Sequence, residues 1–337
     1  IHNTKTSFSE RWIPYCQSKG IDYKIVDCYK TDIIQQLSDC DALMWHHSQN
    51  NYKDLLVAKP ILFALEQSGK VVFPSFNSNW HFDDKVGQKY LLENEDIPMV
   101  RSFCFLSKAD ALSFLQTSDY PLVFKLRRGA GSFNVQLVRT KAKATKLVKI
   151  AFGHGFSNFD AIANIKEVFR KWRLKKNTTT DLAKAFARVF IKPEFAKVAG
   201  REFGYAYFQE FIPNNTFDIR VIVIDNKAFA IKRMVRDNDF RASGSGNILY
   251  EKEHFDQKTL KTAFHISRIL KGECMAFDFV YKNGEPLVVE VSYGFAKEGY
   301  DKCVGYWDEN LDFHEGKFDP CQWMVDLVVK KIASKNG

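Results

Sequence analysis

The stretch Met275-Ala-Phe-Asp278-Phe-Val-Tyr-Lys282-Asn283-Gly284-Glu-Pro-Leu-Val-Val-Glu290-Val-Ser292 sets acidic side chains inside two otherwise apolar runs joined by a turn. A carboxylate in the interior of a strand loses its hydration and needs a cation or a partner, so two in one hairpin point to a shared ion, most naturally magnesium. Strand parity decides whether they can share it. Side chains alternate faces, so a two-residue Asn283-Gly284 loop separates Asp278 from Glu290. A three-residue loop of Lys282, Asn283 and Gly284, with the glycine at positive φ, puts both on one face, and Ser292 with them. The competing account is structural: Asp278 pairs with an arginine and Glu290 caps an edge.

At 337 residues and 45% hydrophobic side chains, the chain can bury a large core and divide into two or three domains. Seven cysteines (16, 28, 40, 104, 274, 303, 321) are scattered, with no CxxC pair and no His/Cys cluster at zinc spacing, which reads as reduced thiols in a cytoplasmic protein. No apolar run reaches the roughly 18 to 20 residues of a membrane span, and no signal peptide opens the chain. The chain starts at Ile1, not at a methionine, so a first strand is expected to be cut short. The net charge of +9 is partly concentrated between Lys141 and Lys197. That pattern suits a nucleic-acid or membrane-surface patch, a solvated helical face, or a site for a polyanionic nucleotide.

From Ser7 to about Pro74 helical and extended patterns alternate. The periodicity predicts helices over 8–18, 32–37 and 55–67, and strands over 23–27, 42–45 and 71–74, which together imply a small open parallel sheet. It holds no GxGxxG, so the dinucleotide fingerprint is missing. Asp83 or Asp84 caps a helix from Lys85 to about Glu93. A strand near 101–105, a helix over 108–115 and strands over 122–126 and 134–138 follow. The segment 141–200 reads as a helical, basic insertion. Strands return at 205–211, 219–224 and 228–234, then a helix over 257–270 leads into the opening hairpin.

The loop Arg127-Arg-Gly129-Ala-Gly131-Ser132 joins strand to strand, unlike a P-loop, and so reads as a flap. Its glycines let backbone N–H groups approach phosphate oxygens, with Lys125 beside them, although an ordinary turn would look the same. Cations recur within strands at Lys125, Arg220, Lys232 and Arg233. Arg220 and Arg233 lie on two arms of one hairpin, able to converge on a transferring phosphoryl group or to pair with Asp218 or Glu210. Arg241 and the Ser243-Gly-Ser-Gly246 run form a second anion-receptive loop or a flexible turn. His154, His254 and His314 read as surface or structural residues. The aromatic tail around Tyr300, Tyr306, Trp307, His314 and Trp323 suits a sugar or amine site, or packing against the core.

In order, Asp84-Lys85, Val123-Phe-Lys125 with its glycine-rich flap, Tyr207-Phe-Gln209-Glu210-Phe211-Ile212, Asp218-Ile-Arg220, Ile231-Lys-Arg233, Asp278 and Glu290-Val-Ser292 resemble the ATP-grasp superfamily. The series runs from about residue 70 to 295, with the glutathione synthetase and the glutamate-adding ligases of peptide and protein tails as nearest relatives. The resemblance implies an α/β (α+β) fold: a Rossmann-like pre-ATP-grasp domain (1–80), a small lobe carrying the flap and the basic insertion (81–207), and a metal-binding lobe (208–337), the two lobes clamping ATP. It implies that Lys85 and Lys125 contact ATP phosphates under a flap of Gly129, Gly131 and Ser132, that Gln209, Glu210, Phe211 and Ile212 form the adenine hinge, and that Asp218 touches ribose. Arg220, Arg233 and Arg241 would act on the transferred phosphoryl group, and Asp278, Glu290 and Ser292 would hold one or two magnesium ions, for which manganese could substitute. Most members carry asparagine where this chain has Ser292, and the usual Pro-Gly continuation is replaced by Tyr293-Gly294-Phe295.

The implied activity is a carboxylate–amine ligase working through an acylphosphate, on an amino acid or a sugar or glycan precursor. A kinase-like member and a basic nucleic-acid- or membrane-surface-binding protein regulated by ATP are the alternatives. The tail and the Ser-Tyr-Gly-Phe variant also look like ATP-grasp proteins of bacterial surface-glycan assembly. The expected partners are ATP and small-molecule or glycan carboxylates and amines in the cytoplasm, without nucleic acid or a transmembrane segment, and with peripheral membrane contact allowed.

Overall fold

The computed structural model describes residues 1–128, 134–159, 161–173, 177–191, 193–236, 239–242 and 244–336, without the side chains of 163, 167, 171 and 336. The N-terminal stretch forms α1 (Ser9–Lys19), α2 (Ile33–Gln36), β1 (Ala42–Met44), α3 (Tyr52–Gln67), β2 (Val71–Phe73), α4 (Phe76–Asn79) and α5 (Lys85–Asn94). Next come β3 (Ser102–Phe105), α6 (Lys108–Thr117), β4 (Leu122–Lys125), β5 (Val135–Val138), α7 (Lys141–Ala151), β6 (Phe156–Ser157), α8 (Ala161–Arg173), α9 (Thr179–Ala187), α10 (Glu194–Ala199), β7 (Arg201–Glu202) and β8 (Ala206–Glu210). The remainder supplies β9 (Phe217–Ile224), β10 (Lys227–Met234), β11 (Ile248–Leu249), α11 (Gln257–Ile269), β12 (Cys274–Lys282), β13 (Glu285–Ser292), β14 (Gly305–Asp308), β15 (Phe313–Glu315) and α12 (Pro320–Asn336). Among the described residues no helix is long and apolar enough to cross a membrane.

The chain divides into two compact units, one of residues 1–48, 56–100 and 212–337, the other of 49–55 and 101–211. The first is built on a sheet ordered β13-β12-β9-β10-β14-β15, with β11 beside β10. Alternation along β9 and β12 splits the apolar residues between two faces. Ile222, Ile224, Phe229, Ile231, Cys274 and Ala276 pack with Trp12 and Cys16 of α1 and Met324, Val325 and Val328 of α12. Val221, Val223, Ala228, Ala230, Met275 and Phe277 pack with Leu260, Ala263, Phe264 and Ile266 of α11. On the first of these faces β9 reads Asp218, Arg220, Ile222, Ile224, so its apolar surface turns into charge at one end.

The N-terminal βα rhythm yields a two-stranded parallel sheet, Ala42 opposite Val71 and Met44 opposite Phe73. The strand expected over 23–27 does not form: that segment makes a single parallel bridge, His2 to Val26. There Val26 N–H donates to the Ile1 carbonyl, while His2 N–H donates to the Met44 carbonyl of β1, both at 3.0 Å. Asp84 caps α5 as expected, accepting from Gly87 N–H at 2.9 Å.

The second unit centres on a four-stranded antiparallel sheet, β3-β8-β4-β5. One face of this sheet packs on α6 and α7 through Phe124, Phe208, Leu115 and Val148. The segment 141–200, expected to be helical, holds α7 to α10, with β6 between α7 and α8 pairing antiparallel with β7 just after α10.

Candidate active site

The hairpin β12–β13 reaches the arrangement the sequence asked for by another route. Lys282 pairs with Glu285, so the loop is the two-residue Asn283-Gly284, with φ of +55° and +80°. By parity alone this separates the carboxylates. The register then shifts between Asp278 and Phe279: Phe279 lies opposite Val288 and Asp278 opposite Glu290, which leaves Val289 unpaired. That β-bulge adds one residue and restores Asp278 and Glu290 to one face. The expected three-residue loop is thus corrected; the inserted Val289, further along β13, does its work.

Antiparallel register carries the charge onward. Asp278 also lies opposite Arg220 on β9, and Asp218 opposite Arg233 on β10. Residues directly opposite point the same way, with Cβ atoms about 5 Å apart, so Glu290, Asp278, Arg220, Asp218 and Arg233 form one charged ladder across four strands. Arg220 grips Asp278 with two bonds, Nε to Oδ1 at 2.5 Å and Nη2 to Oδ2 at 2.8 Å. Arg233 grips Asp218 at 2.6 and 2.7 Å, and its Nη2 also reaches Asp278 Oδ2 at 3.0 Å. Such planar forks hold direction as well as charge. The arginine pairing weighed for Asp278 is therefore present, with two arginines.

Burial by itself would raise the carboxyl of Asp278, 8% exposed, but Arg220 and Arg233 overcome it and hold the group at about 2. Asp218 moves the other way: burial raises it, against the pull of Arg233, and the Asp278 charge adds to the rise. The two guanidiniums are raised against their own desolvation, chiefly by Asp278. Tyr300, buried beside the arginines, is pushed up to about 12 by burial and presents a neutral hydroxyl.

Lys85, in the first turn of α5 and 5% exposed, places Nζ 3.2 Å from Glu290 Oε1. Desolvation alone would lower Lys85; Glu290 and Asp83 reverse that and raise it. Gln88, one turn on, exchanges two bonds with the Val291 backbone, Nε2 to the carbonyl at 2.7 Å and the amide N–H to Oε1 at 3.1 Å. A helix and a strand 203 positions apart are thereby locked in register. Ser292 occupies the same face beyond Glu290. Its Oγ accepts from Gly294 N–H at 3.1 Å and donates to the Gly294 carbonyl at 3.0 Å, which leaves one oxygen lone pair.

His46 was not singled out by the sequence, and Tyr300 only as part of the aromatic tail, not as a neighbour of the arginines. His46 follows β1, at the carboxyl edge of a parallel sheet, where open α/β folds present ligand-binding groups; that position was the available signal. Its Nδ1 accepts from Phe8 N–H at 3.1 Å and its ring stacks on Phe8 at 3.7 Å. Accepting at Nδ1 puts the proton of the neutral ring on Nε2. Burial, then the charge of Lys297, holds the imidazole at about 3. A Cβ at Gly294 would stand 3.5 Å from His46 Nε2 and 4.0 Å from Ser292 Oγ, so this glycine keeps open the space the two groups share.

In the second unit Lys125 ends β4, 4% exposed, opposite Tyr207. Gln209 is buried and donates to Ser102 Oγ at 3.0 Å, so its side chain is engaged within the sheet. Glu210 N–H bonds the Arg101 carbonyl at 2.8 Å, and Phe211 ends the unit; Ile212, 8% exposed, begins the next stretch of the first unit. The base of the flap is tied by Leu126 N–H to the Asn134 carbonyl at 3.0 Å and by Arg127 N–H to Tyr205 Oη at 2.6 Å. Gly129, Gly131 and Ser132 lie outside the described residues, as does Ser243. Arg241 forks onto Asp239 two residues back, at 2.6 to 2.9 Å. In the C-terminal tail Trp307 joins the core beside α11, while Tyr306, Phe318 and Trp323 pack around Phe229 and one another, the packing account of that segment.

Residues 204–308 match the model of the RimK-like ATP-grasp domain. No curated protein sequence matches the chain. Among solved structures, a RimK-domain ATP-grasp protein from Sphaerobacter thermophilus is 16% identical, with 86% of this chain and 88% of that one covered and a TM-score of 0.52. A D-alanine–D-alanine ligase from Bacillus anthracis, solved with ATP, is 13% identical, with 99% and 97% covered and a TM-score of 0.55. The D-cycloserine synthetase DcsG is 13% identical, with 96% and 94% covered and a TM-score of 0.57.

Proposed function

Because the chain has the ATP-grasp fold, with a RimK-like ATP-grasp domain over residues 204–308, we propose that it is an ATP- and magnesium-dependent ligase joining a carboxylate to an amine. The observation that carries this reading is the charged ladder Glu290–Asp278–Arg220 with Asp218–Arg233. The donor set fits magnesium. Asp278 and Glu290 offer hard oxygen ligands from neighbouring positions, and magnesium bound with nucleotide phosphates takes only one or two carboxylates from the protein. Among the described residues no group of three or more His, Cys, Asp or Glu could hold a metal. Ser292, with one lone pair left, is a weaker third contributor.

When bound, magnesium supplies neutralisation of phosphate charge. Arg220 and Arg233, held in place by their carboxylates, would meet the charge that builds on the phosphoryl group as it passes from ATP to the substrate carboxylate. ADP leaves, and the amine attacks the acyl carbon, expelling phosphate and forming the amide. Lys85 and Lys125 would bind ATP phosphates, with the flap around Gly129, Gly131 and Ser132 over them. The backbone of Glu210, Phe211 and Ile212 would read adenine beside Gln209, and Asp218 would contact ribose. Arg241 would serve as a further anion contact once released from Asp239. His46 Nε2–H, a fixed neutral donor beside Ser292, would hydrogen-bond an acceptor-substrate oxygen.

The test is ADP release screened across amino acids and uronic-acid sugars, paired with amines. Turnover that demands both partners and yields an amide supports the ligase; a phosphorylated acceptor formed without an amine replaces it by a kinase. Asp278→Asn and Glu290→Gln should each abolish magnesium-dependent turnover in folded protein, and retained turnover in both refutes the metal assignment.

A further inference from the structure

The basic segment plays no part in the ladder. Between residues 141 and 200 stand fourteen lysines and arginines against four acidic residues, while the rest of the chain holds 35 against 36. The whole net positive charge therefore belongs to this one insertion. Surface apolar residues concentrate in it too. On α8, Ile162, Phe169 and Trp172 are exposed; at spacings of seven and three they share one side of the helix, and the Phe169 and Trp172 rings stack at 5.7 Å. Beyond α9 the chain continues to turn, Val189 N–H bonding the Phe186 carbonyl and Phe190 N–H that of Ala187. Phe186, Val189 and Phe190 thus fall at i, i+3 and i+4, followed by Ile191. Phe190 is 89% and Ile191 68% exposed. Interleaved with them, Lys166, Arg173, Lys184 and Arg188 are exposed as well.

We propose that α8, α9 and the turn 188–191 form a docking surface for an anionic lipid bilayer. Exposed aromatic and aliphatic side chains flanked by lysine and arginine are what an interfacial helix needs: the apolar groups enter the acyl boundary and the cations remain with the headgroups. Charge complementarity selects an anionic occupant and opposes a second copy of the same basic surface. The apolar content selects lipid over nucleic acid, because Ile162, Val189 and Ile191 gain nothing from phosphates and cannot stack on bases.

The test uses the full chain in co-sedimentation with vesicles of 30% phosphatidylglycerol in phosphatidylcholine, against phosphatidylcholine alone. Partitioning should be at least about tenfold stronger to the anionic vesicles and should fall with salt, as headgroup attraction is screened. The double variant Phe190→Asp with Ile191→Asp should lose about tenfold or more, with ATP turnover in solution unchanged; Lys184→Glu with Arg188→Glu should lose a comparable amount. Equal partitioning to both vesicle types, no effect of the apolar variants, or tighter binding to a single-stranded oligonucleotide than to anionic vesicles overturns the proposal. Because the readout is sedimentation, it stands or falls independently of the ligase reading.

Discussion

Replacing Asp278 by asparagine tests the ladder directly. The carboxylate receives Arg220 at 2.5 and 2.8 Å and Arg233 at 3.0 Å. Asparagine keeps the shape, removes the charge and turns an amide N–H₂ toward a guanidinium. A carboxyl held at about 2 instead of 3.8 stabilises the fold by about 2 kcal/mol at neutral pH. Breaking a buried ion pair from one side costs about 3 to 5 kcal/mol. Asp218 still neutralises Arg233, so the lower end applies and a loss of about 3 kcal/mol is expected. Five of the six tryptophans, Trp12, Trp45, Trp80, Trp307 and Trp323, lie in the unit that holds the site, so fluorescence-monitored urea unfolding reports it. With a slope of about 3 kcal/mol per molar urea, the midpoint should fall by about 1 M. The folded-state value is depressed, so the stabilisation is complete above the unfolded value near 4 and is lost as pH falls through about 2. The gap between wild type and variant should hold from neutral pH down to about 4 and narrow below it. A midpoint within about 0.2 M of wild type at neutral pH would refute the paired ladder.

Lys85→Met removes the cation beside Glu290. Because that carboxylate is about a third exposed, the stability loss in urea should stay near 1 kcal/mol, while ATP turnover should fall by at least tenfold; unchanged turnover counts against Lys85 as a phosphate contact. Lys125→Ala should weaken nucleotide binding about tenfold by calorimetry, and unchanged affinity removes it from the phosphate site. Burial holds His46 and His47 at about 3 and His81 at about 4, so each takes up its proton only on unfolding. Stability should therefore fall as pH drops below about 6.5, by up to about 1.4 kcal/mol per pH unit for each ring; a urea midpoint flat between about pH 7 and 5 refutes this.

Much of the charged ladder was legible from the chain alone because its signals are local. Asp84 followed by Lys85 reads as a capped helix start, and Asp218-Ile-Arg220 places two charges on one strand face by period-two alternation. The same holds for the β9–β10 hairpin, whose Asp225-Asn226 turn is short enough to set its own register. The segment 23–27 misled because an extended pattern becomes a strand only where a ladder of backbone bonds runs beside it, and here the pairing is a single bridge, His2 to Val26.

What the sequence by itself determined is most of the helices and strands between about residue 8 and the β12–β13 hairpin, the ordered series of ATP-grasp-like signals, and the presence of carboxylates that required cations. Only the tertiary structure decided how that requirement is met. Asn283-Gly284 specifies a two-residue turn, and nothing in Val288-Val289-Glu290 announces the bulge at Val289 that brings Asp278 and Glu290 to one face. Arg220 and Arg233 face Asp278 because β12, whose Asp278 lies 58 positions beyond Arg220, pairs in register with the β9–β10 hairpin. Lys85 reaches Glu290 across 205 positions because α5 packs on β13, and His46 reaches the loop after β13 by the same kind of long-range packing. Local periodicity fixes which side of an element a residue occupies; which residue it meets is set by the packing of the whole unit.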